Sequence, residues 1–86
     1  MKIQLSKYGT VLTSRPAGKE AFLALKAYVL SKKEKTLEID FEGIKVLSPS
    51  WADEFLTPLK KEYQDHLFFL PSDNPSVLDS LKMIGL

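Results

Sequence analysis

The strongest constraint on this chain is the stretch Thr36-Leu37-Glu38-Ile39-Asp40-Phe41, which alternates without a fault. Leu37, Ile39 and Phe41 point one way, and Glu38 and Asp40 point the other. Only a strand uses a period of two, and such a strand belongs to a sheet with one covered face and one substantially wet face. Segments of helical period lie on both sides of it in the chain, so strand and helix patterns interleave as in an α/β domain.

The remaining elements follow from the same periodicities. Lys2–Ser6 alternates, with Ile3 and Leu5 on one face and Lys2 and Gln4 on the other. A glycine turn at Gly9 leads into Thr10-Val11-Leu12-Thr13-Ser14, a second short strand expected to be the antiparallel neighbour of the first. Ser14 or Arg15 caps a first helix, with Pro16 in its opening turn, and Ala21, Phe22, Leu25, Tyr28 and Val29 form its buried stripe. Leu23 and Leu30 fall on its wet side, where they are either scattered surface leucines or a contact patch for a weak homo-oligomer. After the alternating strand come a turn and a brief apolar segment, Ile44–Leu47.

A second helix starts at Pro49, with Ala52, Phe55, Leu56, Leu59 and Tyr63 as its core face. Pro58 either kinks it or, with Thr57, caps a separate helical segment. His66–Asp73, with its unbroken apolar run, reads as a fourth strand inside the sheet. Asn74 caps a last helix that begins at Pro75 and buries Val77, Leu78, Leu81 and Ile84. The expected fold is a single α/β domain over residues 1–86 with a small mixed four-stranded sheet in the order β-β-α-β-α-β-α. With strands two, three and four side by side, right-handed crossovers place the helices mainly on one face.

Composition removes several function classes. The 86 residues contain no cysteine and one histidine, His66, so disulfides, thiolate nucleophiles and a Cys/His metal centre are not expected. A formal net charge of +1 with interspersed signs predicts neither nucleic-acid nor membrane binding. The first residues lack an apolar signal core, and no run reaches the ~18 apolar residues of a membrane span, so a cytoplasmic protein is expected. The four glycines are isolated and form no phosphate-binding loop. Asp53 and Glu54 are adjacent, diverge by about 100° on a helix, and do not make a facing acid/base pair. No catalytic residue and no cofactor are expected.

Attention therefore falls on Ser48-Pro49-Ser50-Trp51-Ala52-Asp53-Glu54. Ser48 or Ser50 caps the second helix, and the free N–H groups there tolerate a phosphate, which makes Ser50 and Ser48 candidate phosphorylation positions. Trp51 sits on the flank of the core stripe, either as an interface anchor or as core packing. Ser48, Ser50, Trp51, Asp53 and Glu54 form the expected partner-binding surface. Arg15, at the entrance of the first helix, is expected to pair with Glu54.

Three short motifs carry a resemblance: Ser14-Arg15, Asp40-Phe41-Glu42-Gly43 and Ser50-Trp51-Ala52-Asp53-Glu54. Together they resemble the STAS-like domains of unknown function, relatives of the STAS fold of bacterial anti-sigma-factor antagonists. The resemblance implies a non-enzymatic regulatory module that binds a protein partner, a kinase-like ATPase among the candidates. In the antagonists a serine after an aspartate is phosphorylated; here Ser48 and Pro49 stand at those two positions, Ser50 keeps the next serine, and Trp51 replaces a glycine. The standard switch does not transfer unchanged. The alternative reading is a small-ligand or nucleotide-sensing domain.

Overall fold

The computed structural model describes residues 1–86, the side chains of 30–32 excepted. Its elements are β1 (Lys2–Gln4), a 3-10 turn (Leu5–Tyr8), β2 (Val11–Leu12), α1 (Arg15–Lys32), β3 (Leu37–Asp40), β4 (Val46–Leu47), α2 (Pro49–Tyr63), a 3-10 turn (Gln64–His66), β5 (Leu67–Phe69) and α3 (Pro75–Met83).

The strands form two parallel sheets. In the larger, β3 is central, with β1 on one side (Ile3 beside Ile39) and β5 on the other (Leu37 beside Leu67). In the smaller, β2 pairs with β4, Val11 beside Val46 and Leu12 beside Leu47. The expected antiparallel β1–β2 hairpin and single four-stranded sheet are thus corrected. The Leu5–Tyr8 turn carries the chain out of the first sheet before β2 begins, so β2 pairs with the brief segment after β3 instead. β5 is an edge strand, not an inner one, and Phe68 on its outer face is half exposed.

The alternation of β3 reads out as expected on its apolar side: Leu37, Ile39 and Phe41 are buried with Ile3 and Leu67. The opposite face carries exposed Lys2, Gln4 and Phe68 and half-buried Glu38. Asp40 belongs to that face yet is buried, because its carboxylate accepts the Glu42 N–H at 3.0 Å and faces Lys2 Nζ at 3.3 Å. The turn bond to Glu42, and then Lys2, hold its pKa below the usual aspartate range.

Strand order β1-β3-β5 means that α1 and α2 both follow crossovers stepping in one direction, which puts them on the same face and parallel to each other. Their seam is tied by Arg15 to Asp53 and Glu54 near the N-termini and by Lys26 to Glu62 (3.2 Å) farther along. α2 runs unbroken through Pro58 and buries Trp51, Ala52, Phe55, Leu56 and Leu59; Tyr63 is half-buried. In α1, Ala21, Leu25 and Val29 are buried, whereas Tyr28 is 48% exposed against expectation. Leu23 is exposed; Leu30 lies outside the described side chains.

α3 is rotated from its expected face, with Val77 and Ser80 buried and Leu78 exposed. The cause is polar. The Ser80 hydroxyl donates to the Leu47 carbonyl at 2.6 Å, and Ser76 Oγ accepts the Leu47 N–H at 3.2 Å. These hydroxyls complete the edge of β4 that β2 leaves open, a bond set a purely apolar stripe could not supply.

Gly18 sets the closeness of α1 and α2. A methyl group there would lie 2.7 Å from the Trp51 carbonyl oxygen and 3.1 Å from its Cα. Glycine costs a helix about 1 kcal/mol relative to alanine, so its presence needs a packing reason, and this contact is one. Gly18→Ala is expected to destabilise the domain by about 1–3 kcal/mol despite the better helix propensity, because backbone rather than a flexible side chain must move. A lower urea midpoint at unchanged slope would show it; a raised midpoint would refute the close packing.

Candidate functional site

β2 and β4 are each followed at once by a helix. Being parallel and in register, they deliver the starts of α1 and α2 side by side. Ser14 caps α1 by accepting the Ala17 N–H at 3.2 Å, and Ser48 caps α2 by accepting the Trp51 N–H at 3.2 Å. The Ser48 hydroxyl also donates to the Thr13 carbonyl at 2.7 Å, and the Ser48 N–H donates to Leu12 at 2.9 Å. The cap of one helix is thereby bonded to the lead-in of the other.

Arg15 closes the pair. Its Nη1 lies 3.0 Å from Asp53 Oδ2 and 3.2 Å from Glu54 Oε1. The arginine stands at the positive end of its own helix, an unfavourable place, and the two carboxylates of α2 offset that. Thr57 donates to Asp53 Oδ1 at 2.7 Å, so both carboxylate oxygens are engaged. Thr57 first, then Arg15, hold the Asp53 pKa below the usual range, and the two acids raise that of Arg15. Asp53 and Arg15 stay charged near neutral pH, and Asp53 is unsuited to give up a proton there.

Among the sequence-chosen residues, Arg15, Asp53 and Glu54 come together, and Ser48 lies beside them on the lead-in. Ser50 is half-buried and makes no side-chain hydrogen bond among the described residues. Trp51 is different. It is 1% exposed, stacked on Phe55 at 4.8 Å and near Tyr8 at 6.2 Å, so the interface-anchor reading gives way to core packing. Gly18 lets α1 close over the Trp51 backbone while the Leu5–Tyr8 turn supplies Tyr8 to its ring, and neither neighbour is visible in a wheel drawn for α2 alone. His66 is exposed in the turn before β5.

A second feature lies apart from these residues. A shallow groove of about 690 Å³ opens where β3 and β5 end, lined by Asp40–Ile44 and Pro71–Asn74. Ligands of open α/β sheets favour the carboxyl ends of strands, but this lining carries Asp40, Glu42 and Asp73 and no Lys or Arg. The Asp-x-x-Gly strand end and the Pro-Ser-Asp-Asn turn were its only sequence signals. Among the described residues no cluster suits a metal ion, and no helix is long and apolar enough to cross a membrane.

The chain matches the model of the family described as STAS-like domain of unknown function (DUF4325) over residues 19–76. It belongs to that family. No curated protein and no solved structure matches it. The matched span of the STAS-like domain contains the Asp40–Gly43 strand end and the Ser50–Glu54 helix start, and it begins after Arg15.

Two results are expected. Because Asp53 has a depressed pKa in the folded state, its contribution is present above the unfolded value of about 3.9 and is lost as pH falls through the folded one. Asp53→Asn should therefore make the loss of thermal stability at acid pH shallower; an unchanged acid limb would refute this. Trp51→Ala should cost about 3–5 kcal/mol and unfold much of the domain in circular dichroism. A Trp51→Ala variant as stable as the parent would restore the interface-anchor reading.

Proposed function

We propose that this STAS-like domain is a non-catalytic regulatory module that docks a protein partner on the paired starts of α1 and α2, through Ser48, Ser50, Asp53 and Glu54 with Arg15 beside them. The observation that carries the reading is rigidity at an exposed place. The leading turn of α2 is capped by Ser48, bonded to the α1 lead-in, clamped by Arg15 and anchored from below by Trp51, yet its polar groups remain open to solvent. A surface ordered in advance loses little entropy on binding, and most of its affinity can be spent on recognition.

Val11 and Val46 extend this surface. They sit directly across from each other on β2 and β4 and are 57% and 42% exposed. An apolar pair bordered by charged groups and hydroxyls has the make-up of an interface centre with a polar rim. The family resemblance makes a kinase-like ATPase the first partner to try, and Ser50 the serine on which modification would act, since the Ser48 hydroxyl is occupied twice over.

The groove at the ends of β3 and β5 supports the small-ligand alternative in its location only. With Asp40 already held by Lys2, the open carboxylates of Glu42 and Asp73, in a lining without lysine or arginine, repel the phosphates of a nucleotide. A thermal shift with ATP, GTP or cyclic nucleotides is therefore expected to be nil, and a shift of several degrees would favour the sensor.

The deciding experiment is affinity capture from native lysate with wild type, Ser50→Asp and Glu54→Lys, each first verified by thermal melt. A partner held by wild type and lost from both variants is the expected result. Equal recovery of every protein by all three would overturn the docking surface.

A further inference from the structure

α1 is the least amphipathic of the three helices, and its outer face explains why. Leu23 is 54% and Tyr28 48% exposed, and Ala24 and Ala27 are exposed between them. The spacing of 23, 24, 27 and 28 puts all four on one strip about two turns long. A helix apolar on two faces is ordinarily covered on both, and the core covers only one.

The strip adjoins a hollow. Between α1, β1 and the Leu5–Tyr8 turn lies a cavity of about 350 Å³, lined by Met1, Ile3, Tyr8, Ala24, Leu25 and Tyr28 together with Lys2 and Lys7. Its size falls in the range of sites that take an organic side chain or small molecule. Ala24 belongs to both the strip and the hollow, and its short side chain keeps the two continuous.

Lysines flank the strip. Lys19, Lys26 and the cap residue Lys33 are spaced seven apart and follow one edge, and Lys7 stands on the other. Lys26 is engaged by Glu62, but Lys7, Lys19 and Lys33 make no ion pair among the described residues. Glu20, the only acid in α1, lies one turn before the strip and on the same face, three residues from Leu23 and four from Ala24. A second copy docking antiparallel would bring the lysine edge against itself, which is repulsive.

We propose that the outer face of α1 is a second docking surface, distinct from the paired helix starts, whose occupant is an amphipathic helix of a protein partner with acidic flanks. The partner's apolar stripe lies along Leu23, Ala24, Ala27 and Tyr28, one large apolar side chain fills the hollow beside Ala24, and its carboxylates meet Lys19 and Lys33 on one edge and Lys7 on the other. This is the helix-in-groove mode of recognition, with charge setting the partner's sign.

The probe is a synthetic amphipathic peptide of about three heptads with leucine at a and d and glutamate at e and g, set against the same peptide with lysine for glutamate. Binding is read by fluorescence anisotropy and by amide shifts in NMR spectra. The glutamate peptide should bind more tightly by about tenfold or better, weaken with added salt, and shift the amides of residues 23–28. Leu23→Asp, Ala24→Trp, which fills the hollow, and the charge-reversed pair Lys19→Glu/Lys33→Glu should each weaken it about tenfold, in variants whose melts match wild type.

Equal binding of both peptides, or indifference to all three variants, would overturn the proposal. So would binding to phosphatidylcholine–phosphatidylglycerol vesicles in place of the peptide, or sedimentation showing self-association that Leu23→Asp abolishes. Leu23→Asp should leave partner capture through Ser50 and Glu54 intact, so failure of one surface is distinguishable from failure of the other.

Discussion

The parallel pairing of β2 with β4 is the contact on which the rest of this domain depends. Each strand is only two residues long, yet the pairing decides where two helices begin. It brings Ser48 to Thr13 and Arg15 to within reach of Asp53 and Glu54, residues nearly forty positions away in the chain. So short a ladder could not stand alone. It is held on one side by the helices it launches and on the other by Ser76 and Ser80 of α3, which bond to the backbone of β4.

Gly18 and Trp51 form the second half of this arrangement. The missing side chain at one position is filled by the backbone of the other, and the indole is turned inward against Phe55 and Tyr8. The surface above is therefore polar and the layer directly below it is aromatic. The charges of Asp53 and Arg15 are held by Thr57 and by their own pairing, while position is kept by packing. These are separate physical causes, and a change to one need not undo the other.

The elements were largely readable because each follows from a local pattern. The alternation of Leu37–Phe41 named a strand with one wet side, and Ser48-Pro49 and Asn74-Pro75 named two helix starts by the chemistry of their caps. The Arg15–Glu54 pairing was reachable because both residues were placed at helix entrances. Trp51 was not assignable in the same way: at the edge of the stripe, its burial is set by Gly18 and Tyr8, which belong to other elements. Tyr28 and Leu78 read as core from period alone and are instead exposed; for Leu78 the cause is the turning of α3 to satisfy the backbone of β4 with serine hydroxyls.

By itself, the sequence determined the three helices and the alternating strand, their order along the helical part of the chain, and the caps. Those depend on interactions between near neighbours, for which spacing is sufficient. Only the tertiary structure decided that the strands form two parallel sheets, that Trp51 lies inside, and that the outer face of α1 adjoins a hollow. These are settled by which backbone edges remain unpaired once the chain has folded back on itself, a competition among distant segments that no local period records.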